Sequence, residues 1–240
     1  MNGPFALFKW QALFKDWRIF AKGFLTTFEV SAAALVLALI LGILFGIFST
    51  SKIKPLEGVS RVYVEFIQNT PLLIQVFFIY NGLPHLGITL PIMMIGILGV
   101  GIYHGAYIAE VMRAGIDSIN KGQIEAALSQ GFTHWEAMRY IIIPQARKII
   151  LPPLTNQAVN LIKNTSVLSI IAGGDLMYCA DSWSSNNLYY GPAYLVTGIL
   201  YLIICLPLAT FARKLEKKEH ISSAKSEEEE KISYEEEATA

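Results

Sequence analysis

Long apolar runs separated by short polar stretches dominate the pattern of this 240-residue chain. Residues 30–51 contain no Asp, Glu, Lys or Arg, and the core of this segment is apolar on all sides instead of along one stripe. A helix needs about 20 residues to cross about 30 Å of hydrocarbon, because it rises about 1.5 Å per residue. This run therefore predicts a first membrane-spanning helix.

The rest of the chain predicts four further spans. Residues 66–109 are free of charge and are interrupted by glycine and proline at 81–91, so they predict two spans joined by a short turn. Residues 149–174 predict a fourth span, although prolines, amides and a lysine interrupt it. Residues 192–212 predict a fifth. The pattern as a whole favours three regions: an amphipathic, interfacial segment at 1–23, a membrane domain at 24–212 and a charged, disordered tail at 213–240.

Composition agrees with a membrane protein, since 53% of the residues are hydrophobic and the mean hydropathy is +0.45. The 19 basic and 19 acidic residues balance, and no basic helix face indicates nucleic-acid binding. Cys179 and Cys205 lack metal-ligand spacing, and no HExxH or GxSxG string occurs. We therefore expect no catalytic residue, metal, cofactor or nucleic acid.

The distribution of Lys and Arg predicts the orientation, because short basic loops stay in the cytoplasm. Basic residues follow the first, third and fifth spans, whereas residues 81–91 and 173–191 contain none. An outside N-terminus and a cytoplasmic C-terminus follow. Four basic residues before the first span go against this rule, namely Lys9, Lys15, Arg18 and Lys22.

The cytoplasmic stretch between the third and fourth spans has a helical pattern of its own. Residues 123–130 are good helix formers, and Gly131 permits a sharp reversal. Thr133 can cap a second helix together with Glu136 in a capping box. A helix, a glycine break and another helix are predicted. On composition alone, an ordinary membrane-surface loop remains an equal alternative.

The same stretch carries a recognisable motif. Glu125-Ala126-Ala127, with Gly131 after it and then Ile141 to Pro144, resembles the EAA loop of ABC-transporter permeases. Residues 69–84, 106–131 and 151–171 resemble the polar amino acid uptake branch of that family, the histidine, glutamine, glutamate and arginine type. Members of that branch usually have Arg-Gly where this chain has Gln68-Asn69, so no role of that arginine is carried over.

The resemblance implies an all-α integral membrane protein like the type I ABC importer permeases, with about five transmembrane helices and a cytoplasmic coupling helix in the EAA loop (122–144). It implies a multi-pass transport subunit of a prokaryotic cell membrane, which is not itself an enzyme. Because no GxxxxGK[ST] string is present, ATP must bind another polypeptide. The implied partners are a cytoplasmic ATPase dimer, a second permease subunit that is a copy or a sibling, and an external solute-binding protein. The residues implied to contact the ATPase are Glu125, Ala126, Ala127 and Gly131.

Polar residues in the fourth span predict a translocation pathway, because polar groups in hydrocarbon are costly. Asn156, Asn160, Lys163 and Asn164 fall on one helix face, and Thr165 follows them. His104 lies near the middle of the third span. Hydrogen bonds that only hold helices together are the alternative for each of these residues.

No acidic residue falls clearly at mid-membrane, so a cationic substrate is not indicated. The sequence favours glutamate or glutamine as the imported amino acid. A channel that needs no ATPase is the alternative function, but it would leave the EAA loop unexplained.

Overall fold

The computed structural model describes the backbone of residues 3–239 and the side chains of residues 3–217. The described residues form helices joined by short turns, and no strand occurs among them. The α-helices are α1 (Leu7–Lys15), α2 (Trp17–Ser49), α3 (Lys54–Gln68), α4 (Leu72–Phe77), α5 (Leu83–His85), α6 (Ile92–Asp117), α7 (Lys121–Ser129), α8 (His134–Ala137), α9 (Ile143–Asn164), α10 (Leu176–Asn187) and α11 (Tyr190–Thr239). Two π-helical turns (Phe78–Gly82 and Met138–Ile142) and one 3₁₀-helix (Thr165–Ile171) complete them. The predicted all-α fold class is confirmed.

Three helices are long and apolar enough to cross a membrane, namely α2, α6 and the Tyr190–Lys217 part of α11. The α3 helix and the segment Leu72–His85 meet this criterion as a pair bent by 100°. The expected fourth span folds as α9 and the 3₁₀-helix. With 22 residues, α9 is about 33 Å long, but it is too polar to qualify. Among the described residues the apolar spans are therefore three, or four with the bent pair, instead of five.

The predicted second span is broken near its start. α3 and α4 lie on either side of Pro71, which has no N–H and disfavours a helical conformation at Thr70. The side-chain amide of Gln75 donates to the carbonyls of Ile67 and Thr70, at 2.9 and 3.0 Å. These bonds satisfy backbone oxygens that the break leaves without a helical partner.

The ends of the chain differ from the apolar pattern. α2 begins at Trp17 and runs unbroken to Ser49, so the expected boundary after residue 23 falls inside a helix. The backbone of α11 is described as far as Thr239, and its side chains are described as far as Lys217. The interfacial position of residues 1–23 and the disorder of residues 213–240 stay predictions.

α2 and α6 pack against each other through glycine. Gly42 and Gly46 lie one turn apart on α2, and Gly101 lies on α6. A Cβ atom on Gly46 would lie 2.6 Å from Cβ of Met112, and one on Gly101 would lie 2.7 Å from Cδ2 of Leu37. Small residues let helix backbones approach closely in a bilayer, where van der Waals packing drives association. This contact fixes α6, which carries His104, against α2.

One buried carboxyl lies outside the candidate spans. Asp175 precedes α10, and its Oδ2 accepts the backbone N–H of Met177 at 3.0 Å. Its Oδ1 has no hydrogen-bond partner among the described residues. Burial raises the pKa of Asp175 to about 6, although backbone N–H groups at the start of α10 oppose the rise. The folded protein therefore holds this proton more tightly than the unfolded chain does.

We expect Gly42→Leu to destabilise the α2 and α6 contact, because a side chain there would collide with Ile108. Overpacking costs about 1–3 kcal/mol, which corresponds to a fall of roughly 2–10 °C in melting temperature for a chain of this size. Thermal denaturation of the detergent-solubilised protein measures the fall. Gly198→Leu is the control, since no atom lies within 4 Å of a Cβ built there. Equal melting temperatures for the two variants would contradict this packing.

We expect Asp175 to lower the stability of the wild-type protein more at about pH 7.5 than at about pH 5. A raised pKa in the folded state gives stability that is fully present below the unfolded value, near 4, and is lost as the pH rises through about 6. Asp175→Asn keeps a helix-capping acceptor and removes the charge. The variant should therefore melt above the wild type at about pH 7.5, and the difference between the two proteins should shrink towards pH 5. The same pH dependence in both proteins, in thermal denaturation, would refute the assignment to Asp175.

Candidate functional site

The loop between α6 and α9 has well-defined local structure. Asn120 caps α7 by accepting the N–H of Gly122 at 2.9 Å. α7 ends in a Schellman motif, in which Phe132 N donates to Ala127 O at 3.1 Å and Gly131 N donates to Leu128 O at 3.0 Å. Gly131 has φ +90°, a left-handed conformation that side chains rarely adopt. The predicted helix and glycine break are confirmed.

The second half of the loop begins with the predicted capping box. The N–H and hydroxyl of Thr133 donate to Oε2 of Glu136, at 2.8 and 2.7 Å, and Glu136 N donates back to the hydroxyl at 3.3 Å. The side-chain hydrogen bond from Thr133, with the backbone one, lowers the pKa of the Glu136 carboxyl. α8 is then held at its first turn before the chain continues into the π-helical turn.

The four residues of the EAA motif do not share one environment. Glu125, Ala126 and Gly131 are exposed, whereas Ala127 is only 2% exposed. The Ala127 methyl group therefore packs inside this chain and is not available to a partner. Of the two alanines that the resemblance implies in an ATPase contact, only Ala126 is exposed in this conformation.

The loop folds back on itself and on the start of α9. Ala137 and Ile142 are fully buried, and the Gln145 amide reaches Oε1 of Gln123 at 3.5 Å. One end of the loop continues from α6 and the other enters α9.

A polar cavity of about 420 Å³ lies between α6 and α9. Amide, phenol and imidazole groups form its wall, and Lys163 is the one lining residue with a full charge. No carboxylate lines the cavity. Its residues are Tyr103, His104 and Tyr107 from α6 and Gln157, Asn160, Lys163 and Asn164 from α9.

His104 on α6 contacts α9 through two hydrogen bonds. It is 2% exposed, and its Nδ1 lies 3.1 Å from Oε1 of Gln157, while its Nε2 lies 3.0 Å from Nδ2 of Asn164. His104 on α6 therefore holds the side-chain amides of Gln157 and Asn164 at the edge of the cavity.

The structure brings four of the six predicted pathway residues to this cavity: His104, Asn160, Lys163 and Asn164. The other two lie elsewhere. Asn156 donates to Oε1 of Glu216 on α11 at 2.7 Å, and Thr165 is fully buried and donates to the carbonyl of Ile162.

Sequence reasoning missed three residues of the cavity wall, Tyr103, Tyr107 and Gln157. The spacing of the two tyrosines could have indicated them, because they lie one turn apart on either side of His104. Gln157 stands three residues before Asn160 and seven before Asn164. It therefore lies on the same face of α9 as these two residues, just as Asn156 was expected to do.

A second cavity, of about 500 Å³, lies between α3 and α6 and is rich in charge. Arg113 donates to both Glu110 and Asp117, and Arg61 donates to Glu57 at 2.8 Å. The spacing of three and four residues within each helix could have indicated these pairs from the sequence. Both guanidinium groups are engaged by carboxylates of their own helix, but the lining also includes Glu65, so acidic residues outnumber basic ones.

This architecture combines apolar spans, a polar cavity between the span α6 and the more polar α9, and an ordered loop that joins these two helices, as expected of a membrane transport subunit. The family described as "Binding-protein-dependent transport system inner membrane component" matches residues 38–220. The chain belongs to this family. The resemblance to ABC-transporter permeases of the amino acid uptake branch is confirmed, and the chain is a multi-pass transport component, not an enzyme.

Several relatives support this assignment. The chain is 44% identical over 206 residues to "Probable glutamine ABC transporter permease protein GlnM" of Bacillus subtilis (strain 168), covering 86% of this chain and 95% of that protein. It is 34% identical over 200 residues to "Probable glutamine ABC transporter permease protein GlnP" of the same organism, covering 82% and 92%.

Among solved structures, "Crystal structure of an amino acid ABC transporter with histidines" has a TM-score of 0.81 and 35% identity, over 87% of this chain and 97% of the other. An inward-facing form of the MetNI methionine ABC transporter has a TM-score of 0.61 at 18% identity, over 82% of this chain and 94% of the other, which supports the fold alone.

Proposed function

We propose that this chain is one half of the translocation pathway of an ATP-driven importer for glutamine or glutamate. The observation that carries the proposal is the ordered EAA loop, which leaves α6 and enters α9, the same two helices that enclose the polar cavity. Two copies, or this chain and a sibling, complete the pathway. A cytoplasmic ATPase dimer drives it, and an external solute-binding protein delivers the substrate.

The coupling surface is the exposed side of α7. Glu125 can pair with a basic residue of the ATPase, and Ala126 permits close approach of a helix in a groove. Gly131 sets the angle between α7 and the rest of the loop and need not contact the partner. ATP-driven closure of the ATPase dimer displaces α7, and α6 and α9 then move together. Directional transport requires that ATP and the loaded binding protein favour different pathway states.

The polar cavity supplies the groups that a zwitterion with an amide or acid side chain needs. Lys163 attracts a carboxylate, and the amides of Gln157 and Asn160 can donate and accept. A cationic side chain would find no carboxylate among the lining residues. This chemistry favours glutamine or glutamate over arginine, and the relatives described as probable glutamine permeases agree with it.

The proposed orientation places the N-terminus outside and the C-terminus in the cytoplasm. It follows from the basic residues beside α3, in the EAA loop and after the apolar part of α11. In this orientation the EAA loop faces the ATPase, and the segment from Gly173 to Tyr190 faces the binding protein.

We expect Gly131→Leu to lower ATP-driven glutamine uptake at least about tenfold, because a positive φ is costly for a branched side chain and the loop must rearrange. The space around Gly131 is open, so backbone strain and not collision is the cause. Uptake into proteoliposomes that contain the ATPase and binding protein is the measurement, with insertion checked by protease accessibility.

Gly131→Asn should retain more uptake than Gly131→Leu, since Asn tolerates left-handed conformations best among side-chain residues. Gly58→Leu, at an open site on α3, is the matched control. Unchanged uptake in Gly131→Leu would overturn the proposed role of the loop.

We expect Lys163→Gln to raise the KM for uptake about tenfold, because a charge-assisted hydrogen bond contributes about 1.5–3 kcal/mol. Asn156→Ala lies on the same helix but away from the cavity, and its KM should stay within about twofold of the wild type, since an exposed polar contact contributes little. A comparable KM for the wild type and Lys163→Gln would remove this residue from the pathway.

A further inference from the structure

A groove of about 470 Å³ lies where α1, the first turns of α2 and the first three turns of α11 meet. Its lining is entirely apolar and includes Phe14, Trp17, Ala21 and Phe24 on one side and Leu200 on the other. Phe14 and Trp17 are 65% and 54% exposed, so the chain leaves these large aromatic rings uncovered. Neither the coupling loop nor the polar cavity involves this groove.

The predicted interfacial position of residues 1–23 places the groove at the depth of the lipid headgroups. The charge-free stretch of α2 starts at Val30, about 20 Å along the helix from Trp17. Aromatic residues cluster in α1 and at the start of α2, as is typical of the interface between membrane and water. The end of the groove at Phe24 and Leu200 is therefore the end nearer the hydrocarbon, and the end at Phe14 and Trp17 is nearer the headgroups.

The rim of the groove along Ala21 and Leu25 is basic. Lys15, Arg18 and Lys22 are exposed, and none of them forms an ion pair within residues 3–217. Asp16 lies among them, but its Oδ2 accepts the indole N–H of Trp183 at 2.9 Å. Arg18 and Lys22 are one turn apart on α2, beside the flank of the groove, so their long side chains can reach one headgroup.

We propose that this groove binds one anionic phospholipid, with an acyl chain along Phe24 and Leu200 and the phosphate held by Arg18 and Lys22. Arg binds a phosphate oxygen pair through two parallel N–H groups, and lysine adds a second positive charge. An apolar slot beside a basic rim matches the two halves of such a lipid. Its assignment to the outer leaflet rests on the proposed orientation, whereas the site itself does not.

Native mass spectrometry of the full chain, purified in a mild detergent and exposed to phosphatidylglycerol or phosphatidylcholine, tests the proposal. We expect one retained phosphatidylglycerol per chain and little retained phosphatidylcholine. Ala21→Trp, which fills the groove, and the double variant R18Q/K22Q, which neutralises the rim, should each lower this retention at least fivefold.

Two controls match these variants. Ala32→Trp places the same bulk on an exposed position of α2 outside the groove, and K52Q/K54Q removes two charges beyond the other end of that helix. Both should retain the lipid as the wild type does. The double variant R18Q/K22Q changes only exposed side chains, so it decides the question even if Ala21→Trp fails to fold.

Three results would overturn the proposal. One is equal retention of phosphatidylglycerol by the wild type and R18Q/K22Q. Another is equal retention of phosphatidylcholine and phosphatidylglycerol by the wild type. The third is an Ala21→Cys disulfide between two copies of the chain in a C179S/C205S background, which would show that a second permease covers the groove. None of these readouts depends on transport, so they separate this site from the proposed function.

Discussion

The close packing of α2 against α6 is the contact on which the rest of the structure depends. Glycines on both helices bring the backbones together, and α3 then joins the pair through Tyr63, whose hydroxyl donates to the carbonyl of Ile102 at 2.7 Å. In a bilayer, lipid tails are as apolar as the side chains, so burial of apolar surface alone does not bring helices together. Close steric fit and hydrogen bonds hold the helices together instead. With α6 fixed in this way, its other face is left for α9.

The face of α6 that packs against α9 carries His104 and lines the polar cavity. α6 and α9 enclose the polar cavity through His104 and the amides of α9, and the same two helices continue into the two ends of the EAA loop. A polar group in the membrane needs a partner, and His104 obtains two across the helix pair. A relative movement of α6 and α9 must change these two bonds.

The expected and observed structures agree where contacts within a short segment decide the conformation, and they differ where the packing of helices against each other decides it. The loop was predictable in detail because caps, the glycine reversal and the Schellman bonds act within six residues. The break at Pro71 carried its own local signal in the proline, yet its 100° bend depends on how α3 and α4 pack. On the polar face of α9, the prediction named Asn156 where the structure has Gln157. The rotation of a helix about its axis decides between these two residues, and that rotation is set by the neighbouring helices.

The helical membrane fold, the position of the EAA loop and the polar character of α9 can be read from the sequence, because hydrophobic runs, caps and turn residues are properties of short segments. The packing of the helices is needed to see that Ala127 is turned inward, that His104 contacts two amides and that an apolar groove opens beside Arg18 and Lys22. Each of these depends on which helices meet and at what rotation, and that is a sum of many weak contacts between segments far apart in the chain.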